Sequence, residues 1–387
     1  MDKTAIQFID LSAQRRRIGS RIDRAMNRVL EHGRFILGPE VSELEARLAA
    51  FSGARHCITC ANGTDALELS LYAMEIGPGD AVIVPAFSFV ATVEAVARVG
   101  ATPVFADIDA QTFNIDPESA EAAIQAAKAL GLAPRCIIPV DLYGQPADYA
   151  AIDRLAAAHG LKVLADAAQS FGATWRGRRV GALADFTTTS FYPAKPLGCY
   201  GDGGAIFTDD AERAALLRTL RCHGQDDAAG GFTRVGRNSR LDTIQAAVLL
   251  EKLAVFEDEI AARNAAADRY AERLPSEVVA PKIGADVQSV WAQYTVKAPG
   301  DRDKLAAACR QAGVPIAVHY ATPLHWAPAY RDFPTAAPRL KVAEALSRSV
   351  MSLPMHADLD EATQDRVAEA LRAALGARVL DASHAQN

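Results

Sequence analysis

The chain has 387 residues, half of them hydrophobic and 23% charged. At roughly 150 residues per domain it holds two to three domains, and it can bury large cores without disulfide staples or a structural metal. Its 41 Lys and Arg against 47 Asp and Glu give a net charge of −6, which argues against a nucleic-acid or membrane-surface binder but leaves room for a local basic pocket.

No secretory leader is read: Met1-Asp2-Lys3-Thr4 lacks an apolar run, and Arg15, Arg16 and Arg17 stand where a leader is apolar. The longest stretch free of Asp, Glu, Lys and Arg, 311–330, holds three prolines and two histidines, so it is no membrane helix. Six cysteines in a chain this long are no disulfide framework. Cys57 and Cys60 form a lone CxxC, read as buried thiols rather than a zinc or redox site. A reducing cytoplasm is the expected setting, with no metal.

In chain order, Val41, Leu44, Leu48 and Phe51 follow Pro39 at helical spacing. A strand is predicted over His56–Cys60, then a Gly-Thr turn and a helix with Leu67, Leu71 and Met74 on one face. A strand over 81–84 and a helix over 89–99 follow. Further strands are predicted over 103–106, 136–140 and 163–165, with a helix holding Tyr149, Ile152 and Leu155 before the last. This alternation predicts a mostly parallel sheet covered by helices on both faces, with ligand chemistry at the carboxyl ends of its strands. Strands over Phe186–Ser190 and 205–208 come next, then one long helix through Leu241, Ile244, Val248, Leu249, Val255 and Phe256. It leads into a smaller unit with a strand over 291–297, a helix over 303–312 and a last helix over 361–375. The expected division is a large domain 1–250, a small C-terminal α+β domain 251–375, and a flexible tail 376–387.

Two segments carry chemistry. Strand 161–166 ends in Asp166, followed by Ala167-Ala168-Gln169-Ser170; this is either a solvated strand end or a carboxylate held at the active edge of the sheet, which then needs a cationic partner. Lys195 is the only cation between Asp185 and Asp202. A lysine desolvated among apolar residues and glycines has a lowered pKa and can act as a nucleophile. Gly201-Asp202-Gly203-Gly204 does not meet the dinucleotide-binding pattern. Asp, Gln three residues on, and Ser190–x4–Lys195 together suit pyridoxal phosphate, which needs a carboxylate on its ring nitrogen, an imine-forming lysine and phosphate donors. Asn62-Gly63-Thr64-Asp65 opens a predicted helix and offers an anion site. Phe89 is placed to cover one ring face, or simply to pack in the core.

The motifs Asn62-Gly63-Thr64-Asp65-Ala66-Leu67, Asp166-Ala167-Ala168-Gln169-Ser170, Ser190-Phe191-Tyr192-Pro193-Ala194-Lys195 and Gly236-Arg237-Asn238-Ser239-Arg240-Leu241-Asp242 resemble those of the DegT/DnrJ/StrS sugar-nucleotide aminotransferases. The resemblance implies fold type I of the pyridoxal-phosphate enzymes, with a seven-stranded central sheet. It implies that Lys195 binds the cofactor covalently, Asp166 holds the pyridine nitrogen and Gln169 lies at the phenolic oxygen. Gly63, Thr64 and Ser190 would bind the phosphate and Phe89 would stack on the ring, while Asn238 would reach the phosphate of a partner subunit in a homodimer. L-glutamate would be the amino donor, with pyridoxamine phosphate as the halfway form of the cofactor, and a keto-sugar nucleotide the acceptor. The stretch from Lys195 to Gly204 most resembles enzymes aminating the third carbon of a UDP-linked 3-keto N-acetylglucosaminuronic acid, for polysaccharide or O-antigen biosynthesis. A dTDP- or GDP-keto-deoxysugar is the alternative acceptor, and a non-catalytic sugar-nucleotide sensor is the alternative from another class. Retention of Lys195 and Asp166 favours an enzyme. His319, Tyr320 and His325 match a segment that contacts the sugar nucleotide, with loop packing as the alternative for the histidines. Arg240, two residues after Asn238, would face the same pocket if the segment is extended, where it could hold a carboxylate; its alternative is an ion pair with Asp242 or another nearby acid.

Overall fold

Seven short strands assemble into one sheet in the order His56–Cys60, Gly204–Thr208, Phe186–Ser190, Lys162–Asp166, Ala133–Ile137, Asp80–Pro85 and Thr102–Ala106. Gly204–Thr208 alone runs against the rest. The computed structural model describes residues 5–226 and 228–384, with side chains to Gly376. Strands such as Asp-Ala-Val-Ile-Val-Pro over Asp80–Pro85 are buried almost throughout, because helices cover both faces of the sheet. One face packs on Pro39–Ser52, Pro117–Ala129 and Tyr149–His159, and the other on Gly63–Ala73, Ala91–Arg98 and Ala211–Leu220. Cys57 joins the first core and Cys60 the second. Three residues apart on a strand, they point to opposite faces, so the CxxC thiols do not converge.

Several boundaries differ from the sequence reading. The strand expected over 136–140 is Ala133–Ile137, and the one expected over 291–297 is Tyr294–Lys297. The single long helix is two, Thr243–Leu253 and Phe256–Arg273. The break at Ala254 and Val255 redirects the chain so that Phe256 enters the main core, stacked against Phe171 at 6.3 Å. Helix Leu11–His32, unassigned from sequence, buries Ile18, Ile22, Ala25 and Val29. Ile18 and Ile22 pack on Val248, and Ala25 and Val29 on Ala247. Beyond Phe256–Arg273, strands Tyr294–Lys297 and Val350–Leu353 pair antiparallel over a separate core with Tyr270, Leu305 and Val367. The closing helix is Glu361–His384. The tail expected over 376–387 falls mostly outside the described side chains, and 385–387 lie outside the described residues.

Candidate active site

A cavity of about 890 Å³ opens at the carboxyl ends of the parallel strands, where open α/β sheets bind ligands. Asp166 ends one strand and Ser190 the next, while Gly63 and Thr64 begin the helix that follows His56–Cys60. All four line the cavity, together with Phe89, Gln169, Lys195, His319 and Tyr320.

One end of the cavity is built from side chains. Asp166 is 5% exposed, so burial raises its pKa, opposed by hydrogen bonds and by Lys195. Thr92 donates its hydroxyl to Asp166 Oδ2 at 2.7 Å, and the Ala168 amide donates to Oδ1 at 3.2 Å. Burial lowers the pKa of Lys195, and the charge of Asp166 opposes that shift. The Lys195 amine has no hydrogen-bond partner among the described residues. Gln169 is fixed at both ends: its Oε1 accepts from the Tyr143 amide at 2.7 Å, and its Nε2 donates to the Tyr320 hydroxyl at 3.2 Å. His319 Nδ1 lies 2.9 Å from the Ser352 hydroxyl, and burial with the nearby Lys195 pushes its pKa down to about 4. Phe89 is 54% exposed, with its ring 6.4 Å from that of Tyr320.

The other end is built from backbone. Asn62 caps helix Gly63–Ala73 by accepting from the Asp65 amide at 2.8 Å, and its carbonyl accepts from Ala66. The Gly63 and Thr64 amides then have no partner among the described residues, as expected for a first helical turn. A Cβ at Gly63 would meet the Ser190 Cβ at 2.8 Å, and one at Gly204 would meet the Asn62 carbonyl at 2.4 Å. Only glycine allows these approaches, which set the free Gly63 and Thr64 amides beside Ser190.

Three predicted residues lie outside the cavity of their own chain. Asn238 is exposed and Arg240 half-buried. Arg240 forms no ion pair among the described residues, so the Asp242 alternative is not realised. His325 is buried, 3.6 Å from Glu344 and packed near Phe105, which is the loop-packing alternative. Sequence reasoning missed Thr92, Tyr143 and the wall formed by Phe8 and Ile9. Thr92 leaves no mark in the sequence: only the fold brings its hydroxyl to Asp166 and within 3.1 Å of the Ser88 hydroxyl. Among the described residues, no group of three or more His, Cys, Asp or Glu could hold a metal ion.

Residues 16–372 match the DegT/DnrJ/EryC1/StrS aminotransferase family. The chain belongs to that family. A UDP-2-acetamido-2-deoxy-3-oxo-D-glucuronate aminotransferase of Pseudomonas aeruginosa is 50% identical over 95% of this chain and 99% of its own length. The crystal structure of a DegT/DnrJ/EryC1/StrS aminotransferase from Brucella abortus superposes with a TM-score of 0.93 at 49% identity, covering 95% and 99% of the two chains. NtdA of Bacillus subtilis, solved with bound cofactor PMP, superposes with a TM-score of 0.86 at 31% identity, covering 97% of this chain and 86% of its own. The family member described here therefore has the fold-type-I architecture expected from its motifs, and it is a pyridoxal-phosphate-dependent aminotransferase.

Proposed function

We propose that the chain moves an amino group from L-glutamate to the 3-keto group of a UDP-linked N-acetylglucosaminuronic acid, working as a homodimer with shared sites. The coarser activity, transfer to a keto-sugar nucleotide, rests on family membership. The observation that carries the chemistry is the unpartnered, desolvated Lys195 amine sharing one cavity with buried Asp166. The finer substrate is supported by 50% identity to the Pseudomonas enzyme. The division into a cofactor-binding domain over 1–250 and a smaller domain over 251–375 belongs to the same proposal.

The residues present fit pyridoxal phosphate. The free amides of Gly63 and Thr64 and the hydroxyl of Ser190 would hold the phosphate, Gln169 the phenolic oxygen, and Phe89 one ring face. When bound, the cofactor supplies an electron sink for a substrate carbanion. Asp166, fixed by Thr92, would hold a proton on the ring nitrogen, and its burial would strengthen that ion pair. Lys195 is both the anchor and the proton carrier. Desolvation favours the neutral form of its amine, the form in which Nζ could take a proton from one carbon and return it to another. Tyr143 and Tyr320 hold Gln169 in one orientation, and Phe8 and Ile9 wall the cavity against water.

A panel of keto-sugar nucleotides with L-glutamate, scored for amino-sugar product, tests this. The UDP-linked 3-keto uronate should be the best acceptor. Preference for a dTDP- or GDP-linked keto-deoxysugar would overturn the substrate, and no transfer to any acceptor would overturn the enzymatic reading in favour of a sensor.

A further inference from the structure

Burial and the nearby Lys195 keep the ring of His319 neutral, so it carries one proton, and the hydroxyls behind it decide on which nitrogen. Strands Tyr294–Lys297 and Val350–Leu353 set Thr295 directly opposite Ser352. The two residues are 1% and 0% exposed, and their hydroxyls lie 2.8 Å apart. Ala317 extends this small sheet: the Ser352 amide donates to the Ala317 carbonyl at 2.8 Å, and the Ala317 amide donates back at 3.3 Å. Two residues on, His319 Nδ1 comes to 2.9 Å from the Ser352 hydroxyl. From the other side, the Tyr143 phenol donates to the His319 carbonyl and hydrogen-bonds the Thr295 hydroxyl.

These contacts close a ring from His319 through Ser352, Thr295 and Tyr143 back to His319, and each contact needs one proton. Tyr143 gives its only proton to the His319 carbonyl, so Thr295 must donate to the phenol oxygen. Ser352 must then donate to Thr295, and the proton between Ser352 and the imidazole must come from Nδ1. Reversing the Ser352 and Thr295 hydroxyls would leave the phenol oxygen without a donor. With the proton on Nδ1, Nε2 holds a bare lone pair. Nε2 has no hydrogen bond among the described residues and, unlike both nitrogens of His325, it is not buried. His319 lines the cavity that holds Lys195.

We propose that Ser352 and Thr295 are positioning residues that hold His319 with its proton on Nδ1, so that Nε2 accepts a hydrogen bond from a donor group of the keto-sugar nucleotide. The side-chain carboxylate of L-glutamate has no donor to offer, so the contact serves the acceptor half-reaction; this part rests on the function proposed above.

Nitrogen-15 spectra of the histidine-labelled holoenzyme read the tautomer, with His319 assigned by the signals lost in His319→Gln. The proton should sit on Nδ1, and a proton on Nε2 would overturn the proposal. Thr295 makes no hydrogen bond to His319, yet Thr295→Val removes the acceptor of the Ser352 proton. Ser352 should then turn its proton to Nδ1, and the ring proton should move to Nε2, because a buried hydroxyl without an acceptor is costly. Thr295→Ser should restore the first tautomer. An unchanged tautomer in Thr295→Val would overturn the relay. The KM for the keto-sugar nucleotide that the substrate panel selects should rise roughly tenfold in Thr295→Val and return in Thr295→Ser, with the amino-donor half-reaction unmoved. Inversion of the tautomer without a change in KM would overturn the substrate contact. If Thr295→Val does not fold, Ser352→Ala replaces it, with the same shift of the proton to Nε2 expected; if neither folds, the tautomer of the unaltered protein decides. The spectra need no acceptor, so a wrong sugar nucleotide shows in the panel and leaves the tautomer test standing.

Discussion

The ring end of the cavity and the 236–240 segment are built in opposite ways. At the ring end, Asp166, Gln169 and Lys195 come from different parts of the chain, yet all line one cavity, braced by Thr92, Tyr143 and Tyr320. In the 236–240 segment, Asn238 is exposed and Arg240 has no ion pair among the described residues, although both belong to a motif of the same family. The first region is complete within a single chain. The second leaves a polar side chain on the surface and a guanidinium with no ion pair among the described residues, a contact that the proposed homodimer would complete.

Breaking the first region should have the largest effects. Lys195→Ala should remove the proton carrier and lower turnover by roughly 10²–10⁴-fold or more, measured with saturating cofactor. Asp166→Asn should cost roughly 10²–10³ in rate, since one preorganised electrostatic contact is lost; near-normal turnover with cofactor bound would refute its role. In the second region, Arg240→Ala should weaken the keto-uronate half-reaction by about 2–5 kcal/mol of binding and spare the glutamate half-reaction. Stopped-flow spectra separate the two halves, and equal loss in both would point away from sugar-acid recognition. Thr92→Val should be milder, about 1.5–3 kcal/mol for one hydrogen bond to a charged group, read as weaker cofactor retention. The smallest effect concerns pH. Burial lowers the Lys195 pKa and Asp166 raises it, so Asp166→Asn should lower it further in the cofactor-free protein. The pH profile of Lys195 acylation should then move down, and an upward move would contradict the balance.

Reassembly probes the boundary between the two regions. Lys195→Ala and Asn238→Ala subunits, each disabled alone, should regain activity when mixed, because some dimers carry one intact site. Verified mixed dimers without activity would mean that each site is built from one chain.

The sequence made the ring end legible because its chemistry is local. A carboxylate at a strand end, a glycine opening a helix and a lone lysine among apolar residues each leave a mark in the chain. The bracing contacts left little trace. Tyr143 acts on Gln169 through its backbone amide, which carries no side-chain signature. Thr92 looks like any residue of the helix around it until folding brings it to Asp166. Helix Leu11–His32 hides its apolar stripe of Ile18, Ile22, Ala25 and Val29 among arginines, and the break before Phe256 follows from packing on Phe171 rather than from a glycine or proline. His325 shows the converse. A histidine beside a substrate-contacting motif reads as a ligand, yet the fold turns it toward Glu344.

The most direct measurement is borohydride reduction of the purified holoenzyme followed by peptide mapping. The protein should absorb in the visible before reduction, and the reduced cofactor should be found on Lys195 alone. Label on any other lysine, or no covalent label on a protein that retains activity, would contradict the assignment on which the site is built.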